Sequence, residues 1–295
     1  MKSQFKYFIL PLFLSFYLGC NNPPPTALVD QEDNVQIEVI NKNPTDPTNF
    51  GIDTSGLKGN SFRFENIISV TGSKTIIRGF TTKTSFAQAV FFDKSKPVFG
   101  LNNRIVGFKT RTPGTIFFNN KKAMLRELKL KYGTVRDTSL GLRYVLHRRG
   151  NIGDAFEIDF NNKVSFTFLP DSAALSTISF DIPTPPEIVL TAKLIGRKQD
   201  GDLNLLLEWN AAYVNDFEIL LSLVDNQNDI IPLYKIKTAD DGKFKMPKNL
   251  LDELSTRFNS ILFTLTRKLE KQHLHSSSVL FVVSQSISSI LVDIP

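Results

Sequence analysis

From Leu203 to Trp209 and again from Phe217 to Leu223 apolar residues recur at every second position, the repeat of a β-strand with one buried face and not of a helix. Leu203, Leu205, Leu207 and Trp209 share one face of a strand, and Phe217, Ile219, Leu221 and Leu223 share a face of the next. Asn204, Glu208, Asn210, Asp216 and Glu218 fall on the opposite faces. The turn-forming run Asp225-Asn226-Gln227-Asn228-Asp229 then leads into alternation from Ile231 to Ile236, which predicts a hairpin. After Asp240-Asp241-Gly242, Pro247 opens the one expected short helix, with Leu250, Leu251 and Leu254 on one side. Further strands are expected over 260–267, 278–284 and 287–292. The predicted fold class is all-β.

Roughly seven strands over residues 187–295, with a tryptophan in an early one, resemble the immunoglobulin or fibronectin type III sandwich. The resemblance implies two packed antiparallel sheets and loops gathered at the ends. Trp209 lies on the apolar face of its strand and is expected in the core, not as an exposed platform for a sugar ring.

Residues 51–182 carry a weaker strand pattern and are expected to form a second sandwich. Their best hairpin sets Phe156, Ile158 and Phe160 against Val164, Phe166 and Phe168, joined at Asn161-Asn162, a pair suited to positive φ. Phe62 with Phe64, Ile76 with Phe80, and Ile178 with Phe180 are lesser strand candidates. Pro183, Pro185 and Pro186 forbid a helix and favour an extended connection, so residues 183–186 are the expected domain boundary.

The N-terminus has a different character. Lys2 and Lys6 precede an apolar run from Tyr7 to Gly19, which is shorter than the roughly 20 residues a spanning helix needs and stops before Asn21-Asn22-Pro23-Pro24-Pro25. This is the layout of a signal peptide. Its end, Tyr17-Leu18-Gly19-Cys20, resembles a lipobox and departs from the usual pattern at Tyr17, where an aliphatic residue is typical. The resemblance to bacterial lipoproteins implies diacylglyceryl attachment to the Cys20 sulfur, cleavage before Cys20, and acylation of the new N-terminus by a chain such as palmitate. One acyl chain holds a protein only marginally, whereas two or three hold it firmly. The expected organisation is a signal peptide over 1–19, a flexible linker over 20–50, domains over 51–182 and 187–295, and the proline linker between them. Within 20–50, Val35, Ile37 and Val39 alternate and form a candidate strand that docks onto the body. The expected location is the cell envelope, with the outer membrane favoured over the inner.

A chain 41% hydrophobic and 22% charged is globular, and 25 Phe against one Trp and three Met make phenylalanine the main packing residue. Net charge is +6, and two of the positive charges, Lys2 and Lys6, leave with the signal peptide. Export argues against nucleic acid as a partner. Between Lys121 and Arg149, nine Lys or Arg face only Glu127 and Asp137. If the strands here pair, Lys129, Lys131, Arg143 and Arg149 are candidates for a basic band that meets anionic lipid headgroups or an acidic glycan, with His147 beside Arg143 and Arg149. The alternative is a solvated face that blunts the sheet edge.

Groups suited to catalysis are few. There are three histidines, the lone cysteine is Cys20, and no Gly-x-Ser-x-Gly elbow is present. Gly72-Ser73-Lys74-Thr75 echoes the end of a phosphate-binding loop, but Ile67 stands where its first glycine belongs, so a turn is expected. His273 and His275 on one side of an extended segment offer two metal ligands, too few for a closed site, and a loop between strands is expected there. Asp240 and Asp241 are adjacent turn residues. No catalytic residue, metal site or cofactor is therefore assigned. The leading reading is a noncatalytic surface or periplasmic module, followed by a carbohydrate-binding accessory lipoprotein and then a hydrolase.

Overall fold

The computed structural model describes residues 35–39, 65–99, 105–132, 136–172, 176–197, 200–224, 230–248, 260–275 and 278–294. Cys20, Phe62, Phe64 and the expected helix beyond Pro247 lie outside these, apart from Lys248.

The fold is all-β. In chain order the strands are β1 (Gln36–Val39), β2 (Asn66–Ile77), β3 (Phe80–Phe99), β4 (Ile105–Arg111), β5 (Gly114–Phe118) and β6 (Lys121–Lys122). They continue with β7 (Met124–Tyr132), β8 (Arg136–Arg149), β9 (Ile152–Gly153), β10 (Lys163–Pro170), β11 (Ile178–Pro183) and β12 (Leu190–Ile195). The last six are β13 (Asn204–Trp209), β14 (Asp216–Val224), β15 (Ile230–Lys237), β16 (Lys243–Lys245), β17 (Ser260–His275) and β18 (Ser278–Asp293).

An 11-stranded sheet runs β1-β15-β14-β17-β18-β2-β3-β8-β7, with β4 on β3 and β9 on β8. Two smaller sheets, β11-β10-β5-β6 and β12-β13-β16, complete the set. The small sheets pack in tandem on the same face of the large one. Leu203, Leu205, Leu207 and Trp209 from β13 and its approach meet Phe217, Ile219 and Leu221 of β14 and Ile261, Phe263 and Leu265 of β17. Ile116, Phe118, Val164, Phe166 and Phe168 meet Val70, Ala87, Leu146, Leu280 and Val282 in a second core. A third cluster, with Ile67, Val90, Phe92, Phe108 and Leu140, lies on the outer face, where β4 folds over β3.

The predicted alternation forms strands as expected in β13, β14 and β15, and the β14–β15 hairpin pairs Ile219 with Ile236. Trp209 is buried and stacks on Phe217, ring centroids 4.8 Å apart. The short alternation at Val35 and Ile37 docks: β1 pairs antiparallel with β15, and both side chains pack on the adjoining core.

Several expectations need correction. Residues 156–159 form no strand, because β10 takes β5 and β11 as its neighbours. Phe156 and Ile158 still point into the core, but the Ile158 amide donates to Ser85 Oγ (3.1 Å), and the Asp159 carbonyl accepts from Thr184 Oγ1 (2.7 Å). The tight Asn-Asn turn is elsewhere: Asn119 and Asn120, with φ of 47° and 60°, join β5 to β6, the two-residue geometry that demands positive φ twice. At 161–162 only Asn161 has positive φ.

Gly72-Ser73-Lys74-Thr75 is no turn but the interior of β2. A Cβ on Gly72 would lie 2.7 Å from the Phe160 ring, so a larger residue there must displace that ring. The expected strands over 278–284 and 287–292 are one strand, β18, and the expected loop around His273 is the distal half of β17.

The 183–186 connection separates the two small sheets but not the large one. β18 pairs in parallel with β2, from Leu280↔Asn66 to Ile290↔Ile76, so one sheet is shared by residues on both sides of the expected boundary. At about 3.3 Å per residue the β17–β18 hairpin is about 50 Å long. Its base lies in one core, and its far end delivers Leu280 and Val282 to the other.

Between the cores, the inward positions of β18 are Ser284, Ser286 and Ser288, all buried. The proline connection crosses above this serine stripe, and its carbonyls find donors. Ser284 Oγ donates to Pro183 O (2.6 Å), the Asn161 amide to Pro185 O (3.1 Å), and Arg267 Nη1 to Pro186 O (3.3 Å).

Candidate functional site

The antiparallel pairing of β7 and β8 brings the basic segment together, but not onto one face. In β8, Arg143, His147 and Arg149 share the outer face, in register with Arg126 of β7 and with Phe86 and Thr84 of β3 respectively. Arg143 Nη1 donates to Gln88 Oε1 (2.7 Å), and its guanidinium lies 6.0 Å from the Phe86 ring centroid. The His147 ring meets Phe86 edge-on at 6.2 Å. Arg149 is exposed and makes no salt bridge among the described residues.

Lys129 is on the other face. Its ammonium sits 3.3 Å from Glu127 Oε2, whereas the preceding Leu128 is buried in the outer-face cluster. Lys131 pairs through its backbone with Asp137, and its side chain lies outside the described residues. Arg143 and Arg149 share a surface that Lys129 does not.

That surface contains a groove of about 400 Å³, lined by Thr75, Ile77, Phe80, Thr82, Thr84, His147 and Arg149. Local sequence explains its form. Arg78 and Gly79, with φ of 46° and 84°, make a two-residue turn that joins β2 to β3 and sets Ile77 opposite Phe80. Thr75 then faces Thr82, Ser73 faces Thr84, and Thr84 faces Arg149 on the next strand. Phe80 is 80% exposed. Arg149 and His147 are legible in the sequence as part of the basic segment, whereas Phe80 reads there only as a strand residue and the threonines are not singled out. The threonine run after Gly79 is the signal that could have found them.

A second cleft of similar volume lies on the inner face, between β2, β3 and β8 and the segment 157–160. Arg148 there reaches Glu157 at 3.1 Å, and Glu187 is reached by Lys74 at 3.3 Å, with Asp159 and Lys83 also in the lining. Among the described residues the outer groove has no carboxylate in its lining, so it has more to offer an anionic ligand.

The remaining candidates have structural surroundings. Asp240 is buried in an ion pair with Arg267, while Asp241 Oδ1 accepts from the Lys243 amide. His273 stacks on Phe180 with centroids 4.1 Å apart, and burial there, with Lys271 nearby, holds its pKa below the ordinary value. The His275 side chain lies outside the described residues. No group of three or more His, Cys, Asp or Glu among the described residues is placed to hold a metal ion.

The chain matches no family model, no curated protein sequence and no solved structure.

Proposed function

We propose that this protein is an exported lipoprotein, tethered through acylated Cys20 to the outer membrane, whose body is a noncatalytic binding or structural module. The observation that carries this reading is the shared sheet. β18 contributes to both cores, β17 reaches the second through His273 against Phe180, and Arg267 grips the connection between the small sheets, an arrangement suited to presenting a surface away from a membrane. The tether itself rests on Lys2, Lys6, the apolar run and Gly19-Cys20.

We also infer an immunoglobulin or fibronectin III-like arrangement for residues 187–295. In its support, β12-β13-β16 face β15-β14-β17-β18, and the chain passes between the sheets after β13, β15 and β16, with Trp209 in the core.

The test is intact-mass analysis of protein purified from membranes, with Cys20→Ala alongside. The expected wild-type product starts at Cys20 and carries acyl chains, and the variant loses both the lipid and the membrane fraction. Wild-type protein without lipid refutes the tether.

A further inference from the structure

We propose that the outer-face groove of β2, β3 and β8 binds an acidic oligosaccharide, with Phe80 stacking on a sugar ring, Thr75, Thr82 and Thr84 meeting its hydroxyls, and Arg149 with His147 meeting its acidic group. The inference rests on the reading of the body as a binding module and supplies its ligand class.

Three independent features converge on this ligand. Phe80, 80% exposed on a flat sheet beside half-exposed Ile77, is a large apolar face left to water, and aromatic faces of this kind cover the apolar side of a ring. The threonines stand on adjacent strands in fixed register, Thr75 opposite Thr82, and β-branched side chains are stiff at χ1, so their hydroxyls are held in place before a ligand arrives. Arg149, opposite Thr84, has no acidic partner among the described residues, and a guanidinium pairs a carboxylate or sulfate through two parallel hydrogen bonds.

Dimensions agree. Phe80 and Thr84 are four residues apart on β3, about 13 Å along the strand, room for a short oligosaccharide lying across the hydroxyls towards Arg149. Charge complementarity favours an acid: Arg149 and His147 stand on the same face with no carboxylate in the groove lining among the described residues, and Arg78, paired with Asp293 at 3.8 Å, stands at its turn end. A lipid interface also accepts an exposed Phe, but it leaves the fixed ladder of Thr75, Thr82 and Thr84 hydroxyls without a partner, which a sugar supplies. The inner cleft is a poorer site for an acid because Glu157, Asp159 and Glu187 line it, whereas no carboxylate among the described residues lines the outer groove.

The experiment titrates detergent-purified full-length protein with uronate, sulfated and phosphorylated oligosaccharides, with the neutral carboxyl-reduced form of the uronate, and with phosphatidylglycerol vesicles. Variants are Phe80→Ala, Thr82→Val and Arg149→Gln, each checked for folding by Trp209 fluorescence. At least one acidic oligosaccharide binds wild type, and Phe80→Ala and Arg149→Gln each weaken it by about tenfold or more. The neutral form binds more weakly and is insensitive to Arg149→Gln. Acidic-oligosaccharide binding that both variants leave unchanged overturns the groove but not the binding-module reading. Vesicle binding that Arg149→Gln weakens, without oligosaccharide binding, overturns the glycan in favour of a membrane surface, because the acyl tether does not depend on Arg149. Failure of wild type to bind any acidic oligosaccharide overturns the proposal outright, while the tether is judged separately by the Cys20→Ala fractionation.

Discussion

Arg267 and Asp240 form a two-pronged ion pair with no exposure to water: Nε donates to Oδ2 at 2.8 Å and Nη2 to Oδ1 at 2.9 Å. Every remaining valence is used. Arg267 also donates to the carbonyls of Pro186, Glu187 and Asn210, and Asp240 accepts from Trp209 Nε1 (2.8 Å) and the Val214 amide (3.2 Å). A guanidinium has five N–H donors, and all five are directed at oxygen. The pair joins β17, the 238–242 turn, the end of β13 and the proline connection at one point.

Breaking this pair leaves a charge buried without its partner, which costs about 3–5 kcal/mol. Arg267→Met and Asp240→Asn are each expected to lower Tm sharply. Because Trp209 is the sole tryptophan and hydrogen-bonds Asp240, its fluorescence reports the change directly. A double mutant less destabilised than the sum of the singles demonstrates the coupling; additive losses argue that the two act separately.

Gly114 opens β5 opposite Pro170, and a Cβ there would fall on the Leu169 carbonyl and 2.8 Å from the Pro170 Cα. Backbone on both sides leaves nothing flexible to give way. Gly114→Ala is expected to destabilise by about 1–3 kcal/mol, as overpacking does. Denaturant unfolding decides it, and a midpoint equal to wild type contradicts the contact.

Ser286→Val looks favourable by strand propensity but is expected to cost about 1–3 kcal/mol through overpacking. Ser286 is fully buried, in register with Arg267 on one side and Gly72 on the other, beneath the proline connection. A thermal shift upward would show that the stripe has room to spare.

His273 packs flat on Phe180 at the far end of β17, and burial, with Lys271 close by, lowers its pKa from 6.5. A depressed pKa on a base means the unfolded chain binds the proton first. The stabilising contribution is therefore fully present above about pH 6.5 and declines as pH falls towards the lower folded value. Proton NMR of the imidazole tests the sign: it titrates below 6.5 in wild type and moves back towards 6.5 in Phe180→Ala. Titration at or above 6.5 in wild type would refute it.

The sequence by itself determined that the body is all-β, that Trp209 is core, and that β14 and β15 form a hairpin, because side-chain alternation and turn chemistry are local and each strand carries its own apolar face. Asn119 with Asn120 and Asn161 with Asn162 are the same dipeptide, and only the neighbours of β10 decide which of them closes a hairpin. The expected break at 285–286 is absent because buried Ser286 is locally indistinguishable from exposed serine; Ser284 meets the proline connection at Pro183 O. Likewise β7 and β8 are each basic, but register alone puts Arg143 and Lys129 on opposite faces. The parallel union of β2 with β18 was invisible for the same reason: pairing between distant strands is chosen by the total apolar surface covered and leaves no mark within either strand.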